Sequence, residues 1–221
     1  MTAIDTAPFL GLPHATITLA SASVTRQNIL RAAGVDFNVA PTAIDEARVR
    51  ADAQAGDMAA DEIAVLLAFL KAQAASQILL PTQSPTNSSY IIGCDQLLLI
   101  DDHIMAKPES LTEAKQQMLM LAGKRHELLS AIVLIRDGQR IWHHLGRAAL
   151  TMRKFDDAFA DAYIRRVGEA ALWSPGVYQI ETVGSSLFAR INGDHFDILG
   201  LPLLPLLGIL HEHGLRPLEA V

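Results

Sequence analysis

The sequence predicts an α/β fold with a mixed β-sheet, and two observations carry the prediction. Strand-length apolar runs alternate with helical segments along the chain. Asp137-Gly138 then joins two long strand-like runs as a hairpin, which adds antiparallel pairing to a sheet otherwise connected through helices.

Residues 1–14 read as a loose start. Thr16–Ala20 reads as a buried strand, and Val24–Ala33 as a helix closed by Gly34. Phe37–Ala40 is a short strand, and the acidic pair Asp45–Glu46 falls in the loop after it. Asp61–Gln77 is helical, because Ile63, Leu66, Leu67, Leu70 and Ala74 recur at helical spacing. Leu80–Ser89, rich in Pro, Thr, Ser and Asn, is a loop. Tyr90–Gly93 rises as a strand into Cys94-Asp95-Gln96 and continues through Leu97–Ile100. Ser110-Leu111-Thr112-Glu113 is a capping box that opens a helix to Leu121, with Gly123 just past its end. Leu128–Arg136 and Gln139–Met152 flank the hairpin turn, and Asp156–Val167 is a helix stopped by Gly168. Val177–Glu181 and Leu187–Ile191 read as strands, and Leu203–His213 as a last helix with Pro205 in its first turn.

Composition narrows the function. Of 221 residues, 50% are hydrophobic and 19% charged, which is a globular balance with enough chain for a sizeable core. The net charge of −6 and the lack of a basic block argue against a nucleic-acid binder. A single cysteine, Cys94, excludes an intrachain disulfide and a Cys-rich zinc site. No basic segment followed by an apolar one opens the chain, and the run Ile198–Leu210 is too short and too broken by Gly and Pro to cross a bilayer. The expectation is a soluble cytoplasmic protein that does not enter a membrane.

Candidate chemistry starts at Leu19–Asn28. A strand running straight into a helix directs free N–H groups and the positive helix end at one spot. Ser21, Ser23 and Arg26 add hydroxyls and a guanidinium there, which suits a phosphate; the alternative is Ser23 as the cap of an ordinary helix. Asp95, at the carboxyl end of a buried strand, is either a carboxylate that binds a divalent metal or deprotonates a water, or a turn residue. Lys107 before Pro108 reaches a phosphate or is simply solvated, and Lys71 is a charge within an apolar helix that either snorkels or turns inward. Asp45 and Glu46 are exposed charge or a carboxylate facing a metal. Glu181 interrupts a strand suited to burial and therefore needs a donor. The eight histidines form no recognisable ligand motif, and strand alternation sends His143 and His144 to opposite faces.

In order along the chain, these pieces resemble the Maf family of nucleoside triphosphate pyrophosphatases. The segments that carry the resemblance are Leu19–Ser23 with Arg26, Ile44-Asp45-Glu46, Ala68–Ala72 around Lys71, and Ile92–Gln96. Lys107-Pro108, Leu121–His126, Gly176–Glu181 and Gly200–Leu203 follow. None is specific alone, but eight in this order are. The resemblance implies one Maf-like domain over residues 15–221, with an elongated, twisted mixed sheet flanked by helices, and two lobes around a central cleft, as in inosine triphosphatase-like folds. It implies hydrolysis of a nucleoside triphosphate to the monophosphate and pyrophosphate as a nucleotide-pool house-cleaning step, with Mg²⁺ or Mn²⁺ as cofactor, and a homodimer.

Carried over by position, the resemblance makes Asp95 the proton acceptor and, with Glu46, the metal-site carboxylate. Ser21 and Arg26 belong to the phosphate loop, and Lys71 and Lys107 bind phosphate. Thr25, Gln96 and Glu181 occupy the positions that vary with substrate. Gln96 and Glu181 match the branch acting on 7-methyl-GTP, while Thr25 matches neither that branch nor the one acting on dTTP and UTP. Val24 replaces the usual loop proline and Gln27 a position often basic, so the loop carries less positive charge than is typical. The alternatives are a dTTP/UTP pyrophosphatase of the same family and a nucleotide-binding cell-division regulator with little turnover.

Overall fold

A computed structural model describes residues 7–80 and 87–218. In chain order the elements are β1 (Leu10–Gly11), β2 (Ala15–Leu19), α1 (Val24–Ala32), β3 (Asn38–Val39), α2 (Glu46–Ala55) and α3 (Ala60–Leu79). Then come β4 (Ser88–Ile100), β5 (His103–Met105), α4 (Leu111–Leu121), β6 (Arg125–Arg136), β7 (Gln139–Met152) and α5 (Asp157–Val167). Two 3-10 turns, Gly168–Leu172 and Val183–Leu187, precede β8 (Phe188–Asn192), α6 (His195–Ile198), α7 (Leu203–Glu212) and β9 (Arg216–Pro217). The expected α/β class with a mixed sheet is what forms: β2 pairs in parallel with β3 and β4, whereas β4–β5 and β7–β8 are antiparallel. Hydrogen-bonded neighbours follow the order β3-β2-β4-β6-β7-β8, with β5 added to β4.

Contacts divide the chain into two compact units. Of the described residues, the first comprises 7–80, 87–95, 130–146 and 199–218. Its interior is filled by Leu19, Leu30, Ile63, Leu67, Ile91 and Ile92, all closed to solvent. Helix α3 is long and apolar enough by composition to pass for a membrane span. Ile63, Ala64, Leu67, Ala68 and Ala72 are nevertheless buried within the protein, so it is a core helix. The second unit comprises residues 96–129 and 147–198. Its core gathers Leu98, Met118, Leu121, Leu150, Tyr178 and Phe188. Lys115 of α4 bridges Asp157 and Asp161 of α5 at 2.8 and 2.7 Å.

Five expectations need correction. Residues 1–6 of the expected loose start lie outside the described residues, but Leu10–Gly11 forms β1 against β9 and Leu12 is buried. Asp45–Glu46 is not a loop. Asp45 caps α2, accepting from the Arg48 N–H at 3.0 Å, and Glu46 opens the helix at its positive end. Asp95 sits within an unbroken 13-residue strand and not at its end. Val177–Glu181 is not a strand, because Gly176 and Val177 take φ of +75° and +72° and turn the chain. The expected loop Leu80–Ser89 falls partly on residues 81–86, outside the described residues, and Ser88 and Ser89 already belong to β4.

Candidate active site

Strand β2 delivers the chain into the phosphate-loop candidate. Ala20 still donates to the Ile92 carbonyl at 2.8 Å, and the chain then leaves the sheet for α1. Ser23 is the helix cap, its Oγ accepting from the Arg26 N–H at 3.3 Å. Ser21 is buried, and its Oγ accepts from the Ser23 N–H and from Arg26 Nη1, both at 3.2 Å. The cap and the convergent donors therefore coexist. Arg26 is fixed further by Nε on the Gly200 carbonyl at 2.8 Å and Nη1 on the Cys94 carbonyl at 3.2 Å. Among the described residues Nη2 has no partner, so a locked guanidinium keeps a donor edge for an anion. Thr25 is half-buried in the first turn of α1.

Behind this loop, α3 meets β4 at backbone distance. A Cβ on Gly93 would lie 2.1 Å from the Ala68 carbonyl oxygen and 2.8 Å from Ala72 Cβ. Only glycine opposite alanines allows that approach. Gly93 and Asp95 share a strand face, and Lys71 lies on the helical turn between Ala68 and Ala72, so the close packing brings ammonium to carboxylate. Lys71 Nζ contacts Asp95 Oδ1 at 2.6 Å and Glu46 Oε1 at 2.7 Å. The helix carbonyl of Lys71 also accepts from Thr42 Oγ1 at 3.2 Å.

The electrostatics of this trio follow from burial. The Asp95 side chain is 6% exposed. Burial raises its carboxyl above the ordinary range, Lys71 and Arg26 pull it back, and Glu46 adds to the rise. The neighbouring Cys94 thiol, completely buried, is pushed up to about 11 and is chemically quiet. A buried ion pair gains little net stability, because desolvation offsets the Coulomb attraction. A Lys71–Asp95 pair set into an apolar helix–strand contact, with Glu46 at its solvent edge, therefore points to chemistry. Lys71 turns inward and does not snorkel.

The remaining expected residues belong to the second unit. Gln96 follows Asp95 on β4, and its Nε2 donates to the Asp197 and Ile198 carbonyls at 3.1 and 3.0 Å. Lys107 is exposed, beside buried Pro108. Glu181 is exposed in the turn before the second 3-10 segment, which corrects the expectation of a carboxylate interrupting a buried strand. His143 and His144 border a surface hollow of about 640 Å³ between α3 and β7, together with Leu66, Phe69 and Arg140. None of the expected site residues lines it. Among the described residues, no group of three or more His, Cys, Asp or Glu side chains is placed to hold a metal ion.

Sequence reasoning missed Gly93. Its signal was the alanine series Ala64, Ala68, Ala72 and Ala75 in α3, small side chains along one helix face facing a glycine in an otherwise bulky strand. It also missed the Gly200 carbonyl that holds Arg26 from 174 residues away, for which no local pattern exists.

Residues 16–213 match the Maf-like protein family. The chain belongs to that family. It is 44% identical over 198 residues to a nucleoside triphosphate pyrophosphatase of Rhodospirillum rubrum, covering 90% of this chain and 95% of the relative. It is 42% identical over 196 residues to a 7-methyl-GTP pyrophosphatase of Brucella abortus, covering 89% and 95%. A nucleoside triphosphate pyrophosphatase of Caulobacter vibrioides is 44% identical over 198 residues, covering 90% and 96%. Relatives of the two names stand within two percentage points of each other, so overall similarity does not select the base, and the residues that differ must.

Proposed function

We propose that this chain hydrolyses a nucleoside triphosphate between the α- and β-phosphates, releasing a nucleoside monophosphate and pyrophosphate, with 7-methyl-GTP or a related modified purine nucleotide preferred. The observation that carries the proposal is the Glu46–Lys71–Asp95 trio behind the Ser21–Arg26 loop, with Asp95 buried and Glu46 partly open to solvent. Two carboxylate oxygens already converge on one cation there, the Lys71 ammonium, and an all-oxygen pair completed by water and phosphate oxygens suits Mg²⁺ or Mn²⁺. Glu46 and Asp95 would hold the ion; when bound, it offsets phosphate charge.

The chain's own groups supply the rest. Arg26 and the N-terminus of α1 bind phosphate oxygens, with Ser21 fixing the guanidinium. A water attacks phosphorus, its proton passes to a carboxylate oxygen of Asp95, and the anhydride P–O bond breaks to release pyrophosphate. Burial makes Asp95 a stronger base than a solvated carboxylate, and Lys71 holds it in place. Lys107 adds phosphate charge compensation. Glu181, acceptor-only, complements the N1–H and exocyclic amine of guanine and favours a 7-methylated, cationic base. A cytoplasmic homodimer completes the proposal on family resemblance alone, and light scattering measures its oligomeric part.

The test is pyrophosphate release by purified protein with Mg²⁺ or Mn²⁺ across a nucleotide panel. Turnover of 7-methyl-GTP ahead of UTP is expected, and Asp95→Asn should remove turnover while keeping a cooperative melt. The reverse order overturns the role of Glu181, and an active Asp95→Asn overturns the proton-acceptor role. Nucleotide binding without turnover would favour a regulatory protein, the reading that the weakly basic loop at Val24, Thr25 and Gln27 supports.

A further inference from the structure

Gln117 lies buried on α4 within the second unit, and its side chain is used at both ends. Nε2 donates to the Ala106 carbonyl at 3.0 Å, and Oε1 accepts from the Gly176 N–H at 3.3 Å. Ala106 immediately precedes Lys107, and Gly176 opens the segment that ends at Glu181. One carboxamide thus grips the loop that carries the lysine and the segment that carries the carboxylate. A residue with a donor at one end and an acceptor at the other is required, which glutamine satisfies.

The Gly176–Glu181 segment is also held where the chain would not settle alone. Val177, β-branched and buried, has φ of +72°, a conformation that only firm surroundings maintain. Next to it, a Cβ on Gly176 would lie 2.6 Å from Leu98 Cδ1. The Tyr178 hydroxyl meets His126 Nε2 at 2.8 Å, and the Tyr178 carbonyl accepts from Ser174 Oγ at 3.1 Å. Gln179 Nε2 donates to the Ala170 carbonyl at 2.8 Å. Of these anchors, Gln117 also reaches the lysine loop.

We propose that Gln117 is a positioning residue that ties the Lys107 loop and the Gly176–Glu181 segment to one helix, so that phosphate and base are gripped in a fixed register. The inference rests on the nucleotide reading above. A merely structural Gln117 would affect the melt and leave base preference alone.

Gln117→Met keeps the volume and removes both hydrogen bonds. The expected result is a fall on the order of tenfold in kcat/KM for 7-methyl-GTP and a smaller 7-methyl-GTP-to-UTP preference. Gln117→Glu keeps an acceptor for Gly176 but sets a carboxylate oxygen against the Ala106 carbonyl, so at neutral pH it should also lower that preference. An unchanged preference in both variants overturns the proposal. Amide exchange needs no substrate: in Gln117→Met, residues 106–109 and 176–181 should exchange faster together, and acceleration of one segment alone overturns the coupling. If Gln117→Met does not fold, Gln117→Glu carries both measurements. A wild type that turns over no nucleotide overturns the functional reading instead, and the exchange experiment still decides whether Gln117 couples the two segments.

Discussion

Gly93→Ala adds one methyl group where α3 and β4 meet at backbone distance. The new Cβ would stand 2.1 Å from the Ala68 carbonyl oxygen, 2.8 Å from Ala72 Cβ and 2.9 Å from Ala72 N. Non-bonded carbon and oxygen settle at roughly 3.3 Å or more, so the helix must withdraw by about 1 Å. No rotamer change relieves the contact, because the obstacle is backbone. Lys71 rides on the same turn, and its 2.6 Å bond to Asp95 cannot survive that withdrawal unchanged. Overpacking of this kind costs about 1–3 kcal/mol, and displacing a positioned group by ~1 Å costs on the order of a hundredfold in rate. Urea unfolding should show the first loss and pyrophosphate release the second. Adding Ala72→Gly removes the Cβ contact but not the carbonyl contact, so it should recover only part of the stability. An unchanged midpoint and rate in Gly93→Ala would refute the reasoning. So would full recovery in the double variant, which would put the spacing under the control of a side chain.

Two further outcomes follow from buried charge. Burial lowers the His126 imidazole from its usual 6.5 to about 4, so between those values the folded protein binds fewer protons than the unfolded chain. Stability is complete above about pH 6.5 and is lost as pH falls toward 4, approaching about 3 kcal/mol at 1.36 kcal/mol per unit. His126→Gln should flatten the urea midpoint across that window, and an equally steep profile would assign the titration to another group. Lys71→Met leaves Asp95 buried without its cation, an imbalance worth about 3–5 kcal/mol. Because the Asp95 carboxyl is then raised further, the folded state favours its protonated form, and stability should recover as pH falls. A loss of the same size at pH 5 and pH 8 would remove Lys71 from the role of counter-ion.

Where the fold was legible, the signal was local. Asp137 and Gly138 take φ of +49° and +84°, the doubly left-handed turn that an Asp-Gly hairpin demands. Ser110 caps its helix by accepting from the Glu113 N–H, as its spacing implied, although Glu113 reaches back to the Glu109 N–H and so completes only half of the expected capping box. Asp156, read as the first helical residue, caps α5 instead. Helix α2 was not legible because only Ala53 is buried along it, so no apolar stripe marks the period. Val177, Tyr178 and Ile180 imitated a strand because they pack into the second unit's core from an irregular backbone. Periodicity reports which side chains are buried, and here burial was achieved without the strand.

The candidate site divides along the same line. Lys71 stood out as a charge within an apolar helix and Asp95 by its place on a buried strand, and in the structure each satisfies the other. What no window of sequence contains is the distance between two elements. That distance is set by the absence of side chains: Gly93 has none, and Ala68 and Ala72 have the smallest. Larger residues there would bury more apolar area and, by that measure, stabilise the helix–strand contact. They would also move the ammonium away from both carboxylates. The contact therefore gives up hydrophobic burial for the placement of one lysine, a choice that packing alone does not favour and that a charged reaction centre requires.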